Sequence, residues 1–112
     1  MYGCNNKLKP EECRVYPLIL SKLSKFFHFG SCRFGVQKSK ESTARVSLYK
    51  ELKSCPNIFT MESTFSGVDF GEAKGEHMTT ASFESMGTDL CRVLLIYENI
   101  FIPPELRHLY GK

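Results

Sequence analysis

The stretch "NIFTMESTF" at residues 57–65 decides how this chain is read. Ile58, Phe59, Thr60, Met61, Thr64 and Phe65 suit a pleated, half-buried surface, so the segment is expected to be a β-strand. With a period of two, Ile58, Thr60, Glu62 and Thr64 share one face, and Phe59, Met61, Ser63 and Phe65 share the other. A carboxylate, Glu62, then falls on the mixed face near the C-terminal end of an apolar strand. Sites in α/β sheets form beyond the carboxyl ends of strands, and a carboxylate fixed there suits general-base work. The plain alternative is a solvated glutamate on an edge strand.

The flanks alternate between the two periodicities. Val15, Leu18, Ile19, Leu20, Leu23 and Phe26 or Phe27 give a helical apolar face, and Pro17 confines the regular helix to about 16–26. "CRFGVQ" at 32–37 reads as a short strand, and "KSKEST" at 38–43 as a polar loop. Thr43 is a candidate N-cap for a helix over 43–52 with Ala44, Leu48 and Leu52 on its apolar face. Residues 66–78 form a glycine-bearing loop, and a long helix starts at Thr79 or Thr80. Phe83, Met86, Leu90, Leu94 and Tyr97 mark its face, and Gly87 in its interior calls for a close packing contact. "FIPPEL" at 101–106 ends that helix, and residues 1–9 read as a loop. The order helix, strand, helix, strand, helix is an α/β pattern. Two strands cannot cover this much apolar helix, so the expectation is part of a larger α/β domain, or a chain that pairs with another.

Length allows a single domain. No apolar run is long enough to span a membrane, and no secretory leader is evident at the N-terminus. Five cysteines at wide, irregular spacings fit reduced thiols in the cytosol. The net charge of +3 is uneven. Residues 1–53 carry 11 Lys and Arg against four Asp and Glu, whereas residues 54–112 carry four against eight. A basic half fits nucleic acid, anionic lipid or a polyglutamate tail, or is an ordinary solvated surface.

Motif chemistry is sparse. His28, His77 and His108 stand in no HxxE or HExxH arrangement, and a zinc site needs three or four convergent ligands. His28 reads as a helix-end residue. No nucleophile elbow or phosphate-binding loop is present. Glu62 and the basic stretch before it remain.

"KSKESTARV" at 38–46, "TMESTFSG" at 60–67 and "MYGC" at 1–4 closely resemble the C-terminal part of the catalytic domain of cytosolic carboxypeptidases. These are zinc metallocarboxypeptidases that shorten glutamate tails on tubulin and other proteins. "FESMGTDLCRVLL" at 83–95 resembles the last helix of that domain. The resemblance covers nearly the whole chain. It implies residues 1–112 as the C-terminal third of a metallocarboxypeptidase-type α/β/α mixed-sheet domain, incomplete on its own.

By the same resemblance, Glu62 is the general base and acid that moves a proton from the attacking water to the leaving amine. Arg45 lies in the segment that lines the pocket for the C-terminal side chain, where a guanidinium would pair with a glutamate carboxylate. Lys38 and Lys40 would draw in the acidic tail. Apart from the resemblance, Arg45 could be a helix-surface residue paired with Glu41 or Glu51, and both lysines plainly solvated.

The resemblance further implies zinc in the intact family enzyme, held by an HxxE pair and a histidine that lie before "MYG". The chain is therefore expected to hold no zinc ligands and to be inactive alone. "SLYKEL" at 47–52 stands where members often have a tryptophan-containing segment. The implied partners are glutamate-rich C-terminal tails of the tubulin type, with neither nucleic acid nor membrane, in the cytoplasm. The competing expectation is a non-catalytic remnant that binds acidic tails or docks on a full-length relative.

Overall fold

The computed structural model describes residues 1–64 and 66–101, with the backbone alone at 100 and 101. The expectations for Phe65, for the "FIPPEL" helix end and for His108 lie outside the described residues. Three α-helices are present among them: α1 (Val15–Leu23), α2 (Ala44–Glu51) and α3 (Thr80–Phe101). Single 3-10 turns stand at Glu12–Arg14, Phe29–Ser31 and Lys38–Lys40. No helix among the described residues is long and apolar enough to cross a membrane.

The helices begin where local chemistry satisfies their free amides. At the start of α3 the Thr79 hydroxyl accepts from the Ser82 amide at 3.2 Å, and the Thr79 amide donates to the Ser82 hydroxyl at 3.1 Å. This is a reciprocal capping box with serine in the place of the usual glutamate. Pro17 falls in the first turn of α1, where a missing N–H costs nothing. α1 stops at Leu23 because Ser24 turns extended. His28 is therefore not a helix-end residue: it stacks on Phe70 at 5.0 Å and shares a 2.8 Å hydrogen bond with Ser31.

The core lies where α1 meets α3. Tyr16, Leu20, Phe27, Cys32, Met86 and Val93 form its buried cluster. The Tyr16 hydroxyl donates to the Leu90 carbonyl at 2.8 Å, so the polar tip of a buried ring is satisfied inside the helix pair. Phe59 and Met61 pack against this cluster, and Phe59 stacks on Tyr16 at 5.7 Å.

The expected strands at 32–37 and 57–65 are much reduced. Among the described residues each is a single bridge, Tyr2 with Arg33 in parallel and Tyr2 with Thr60 antiparallel. Residues 1–5, expected as loop, run between them. Tyr2 exchanges both backbone hydrogen bonds with Thr60 at 2.8 Å, while Gly3 and Asn5 donate to Arg33 and Phe34 at 2.8 and 2.7 Å. Among the described residues neither outer edge has a further neighbour and pairing stays at one residue per side, so the α/β expectation is only thinly expressed. The period-two reading of residues 59–62 still holds, with Phe59 and Met61 toward the core.

Thr43 stands at the N-cap of α2, as expected, although its hydroxyl donates to the Lys40 carbonyl at 2.8 Å and makes no cap hydrogen bond. Three packing expectations are corrected. α2 buries Arg45 and Val46, while Leu48 and Leu52 are 51% and 50% exposed. Its periodic apolar face looks outward because its other side closes on the N-terminal segment. Along α3, Leu94 is 56% exposed, and a Cβ at Gly87 would meet nothing within 4 Å, so no close contact explains that glycine. The 66–78 loop is more ordered than a free loop. Gly67 bridges His77, Val68 and Ala73 are buried, and Gly75 turns the chain at φ 90°.

Leu20→Ala removes a fully buried side chain and should cost about 2–5 kcal/mol in urea unfolding. Leu48→Ala should stay within about 0.5 kcal/mol, since that side chain is half exposed. Equal losses would refute the assignment of faces.

Candidate functional site

A cleft of about 430 Å3 opens over the three paired segments. Arg33, Tyr2 and Thr60 lie side by side across its floor, and Glu62 follows Thr60 two residues on, on the same face. Lys40 from the 3-10 turn, with Thr43 and Arg45 from the start of α2, forms the facing wall. Of the residues singled out in the sequence, Glu62, Arg45 and Lys40 thus share one cleft. Lys38 is exposed and lies outside it.

Arg45 is 8% exposed, and no ion pair with Glu41 or Glu51 occurs among the described residues. Its Nη1 donates to the Gly3 carbonyl and reaches the Cys4 sulfur at 3.8 Å. The guanidinium carbon stands 5.8 Å from the centre of the Tyr2 ring, within cation–π range. The other guanidinium donors have no hydrogen-bond partner among the described residues, so one end is fixed and the remainder is available to the cleft.

Glu62 is exposed and makes no hydrogen bond or ion pair among the described residues. It borders a second, smaller cleft of about 250 Å3 lined by His28, Ser31, Phe70 and Met86 among others. The strand end expected to fix it is one bridged residue, Thr60, two positions earlier.

Sequence reasoning missed Tyr2, Arg33 and Thr60 as cleft residues. Arg33, Gly35, Val36 and Gln37 all line the cleft, so the alternation of a strand does not pick out Arg33. Tyr2 gave no signal either, because its pairings are long-range.

The zinc that the family resemblance implies finds no fit among the described residues. No three His, Cys, Asp or Glu side chains converge among the described residues. Glu76, beside His77, pairs with Lys25 at 3.5 Å instead. No step through a metal is derived from these residues.

No family model and no solved structure matches the chain. Curated proteins do. The chain is 43% identical over 99 residues to cytosolic carboxypeptidase 2 of Danio rerio, an alignment covering 85% of this chain and 14% of that protein. It is 43% identical over 102 residues to cytosolic carboxypeptidase 3 of Bos taurus, covering 87% and 10%. It is 39% identical over 120 residues to cytosolic carboxypeptidase 1 of Gallus gallus, covering 94% and 10%. By sequence the chain belongs to the cytosolic carboxypeptidase family. The chain spans about a tenth to a seventh of the length of these relatives.

Burial pushes the Cys4 thiol above its ordinary 9.0, outweighing the pull of the Arg45 guanidinium. A raised thiol stabilises the fold fully below its ordinary value, and that stability is lost as pH rises through the raised one. Urea unfolding should therefore show stability declining above pH 9.0. Mildly alkaline alkylation of the folded chain should label exposed Cys91 and spare buried Cys4. Labelling of Cys4 at the rate of Cys91 would contradict the burial of the Arg45 contact.

Proposed function

We propose that this chain is the C-terminal part of a cytosolic zinc carboxypeptidase catalytic domain, within an α/β/α mixed-sheet fold. The whole enzyme removes C-terminal glutamates from acidic protein tails of the tubulin type, in the cytoplasm. The observation that carries the reading is the meeting of Glu62, Arg45 and Lys40 in one cleft, in a chain homologous to carboxypeptidases. The zinc ligands of the working enzyme lie outside this chain's residues.

Within that reading each residue has a separate task. Arg45, fixed by the Gly3 carbonyl, offers its free donors to the side-chain carboxylate of a terminal glutamate. Lys40, at the wall, adds positive potential for an acidic tail. Glu62, exposed on the cleft floor and without an ion pair among the described residues, accepts a proton from the attacking water and passes it to the departing amine. An unpaired carboxylate is free to do both, whereas one locked in an ion pair would first have to break it.

The second reading is a non-catalytic binder of acidic tails, and the presence of Arg45 and Lys40 on one cleft supports it. A chimera separates the two. This chain replaces the matching segment of the Danio rerio cytosolic carboxypeptidase 2, and glutamate release from a polyglutamate peptide is measured. The first reading expects release, lowered about 100-fold or more by Glu62→Gln, as for loss of a positioned proton carrier. An inactive, folded chimera favours the binder. An active Glu62→Gln chimera removes Glu62 from its role.

A further inference from the structure

Residues 66–78 close on themselves. The Met78 amide donates to the Ser66 carbonyl at 3.0 Å, and Gly67 bridges His77. Further in, the Val68 amide donates to the Glu76 carbonyl and the Gly75 amide to the Val68 carbonyl, both at 2.8 Å. Gly71 and Gly75 make the turns at φ 62° and 90°, where a side chain is costly. Among the described residues no backbone hydrogen bond joins 67–77 to the rest of the chain. The segment is thus a self-bonded body on a narrow stem, the form of a compact surface loop.

Two side-chain contacts tie this body to the residues that follow α1. Lys25 pairs with Glu76 at 3.5 Å, both side chains about half exposed. Phe70 stacks on His28 with ring centroids 5.0 Å apart. The His28 ring is itself held in place: Ser31 bonds its Nδ1 at 2.8 Å, and a Cβ at Gly30 would come within 3.0 Å of it. An exposed ion pair and a single ring pair are each weak, and so can be released without unfolding the core. The apolar edge of the body is Val68, which is buried against the second cleft.

That cleft, of about 250 Å3, is closed in as it stands. Ligand pockets run to roughly 300–1,000 Å3. All four methionines of the chain, Met1, Met61, Met78 and Met86, line it. Unbranched thioether side chains repack readily, which suits a space that changes shape. Phe27, His28 and Phe70 also line a neighbouring cleft of about 580 Å3, so the ring stack is the partition between the two. We propose that residues 66–78 are a latched flap, which swings as one body on its Ser66–Met78 stem and, when the His28–Phe70 and Lys25–Glu76 contacts part, opens the methionine-lined cleft beside Glu62 into its neighbour. The flap is independent of what Glu62 does. Any bearing on proton transfer rests on the reading of Glu62 given above.

The test uses the 112-residue chain and dilute hydrogen peroxide, which converts a methionine that it reaches to the sulfoxide. Peptide mass spectrometry reads Met86, which is buried on the cleft wall. Phe70→Ala combined with Glu76→Gln should speed oxidation of Met86 about three- to tenfold, the weight of one ring pair and one exposed ion pair. Hydrogen exchange at the Val68 and Gly75 amides should stay slow in the same variant, because the flap keeps its own bonds. Glu76→Lys alone should also speed oxidation, and adding Lys25→Glu, which reverses the pair, should restore protection. Lys25 and Glu76 are exposed, so these variants keep the core, which an unchanged urea midpoint verifies. Unchanged oxidation of Met86 in the latch variants overturns the proposal. Fast exchange at Val68 and Gly75 overturns it too, since the segment then melts instead of swinging. Failure of the reversed pair to restore protection removes the ion pair as a latch and overturns the proposal as stated. None of these outcomes touches glutamate release, so the reading of Glu62 stands or falls apart from them.

Discussion

The backbone of residues 1–5 is bonded on both sides, and the site depends on it. Tyr2 holds Thr60 on one flank, and Gly3 and Asn5 hold Arg33 and Phe34 on the other. Those bonds set the floor of the cleft in order and present the Gly3 carbonyl to Arg45. Gly3 is demanded by the packing: a Cβ there would come within 2.9 Å of the Phe34 ring and 3.2 Å of the Phe59 ring. A side chain at this position would push apart the segments that carry Arg33 and Glu62. The same glycine thus supplies both the room and the acceptor that the arginine needs.

Much of the scaffold was legible from local rules. α3 begins where a Thr–Ser cap stands, and Pro17 limits α1 as its missing N–H requires. Parity along 59–62 placed Phe59 and Met61 inward and Thr60 and Glu62 toward the cleft. What failed was non-local. Gly3, Asn5 and Asn6 resemble turn residues, and only Asn6 acts as one, its side chain accepting from the Leu8 and Lys9 amides. The backbone bonds of residues 1–5 reach some 30 to 60 positions along the chain, beyond any periodicity. α2 was misread for a related reason. Its leucines follow helical spacing, but a buried guanidinium with a backbone acceptor outcompetes them for the inner side.

Large apolar side chains remain exposed at Leu8, Leu48, Leu52, Leu94 and Leu95. Asn57 keeps a buried side-chain oxygen with no hydrogen-bond partner among the described residues. Such groups cost a free-standing domain stability or solubility. The cleft itself is built wholly from described residues of this chain.

The most direct measurement is a two-dimensional amide NMR titration of the labelled chain with a glutamate-terminated peptide. The account predicts saturable shifts concentrated at Tyr2, Arg33, Thr60 and Glu62, with little change around His28 and Phe70 in the neighbouring cleft. Shifts centred on His28 and Phe70, or a diffuse response of surface lysines that salt removes without saturation, would contradict it.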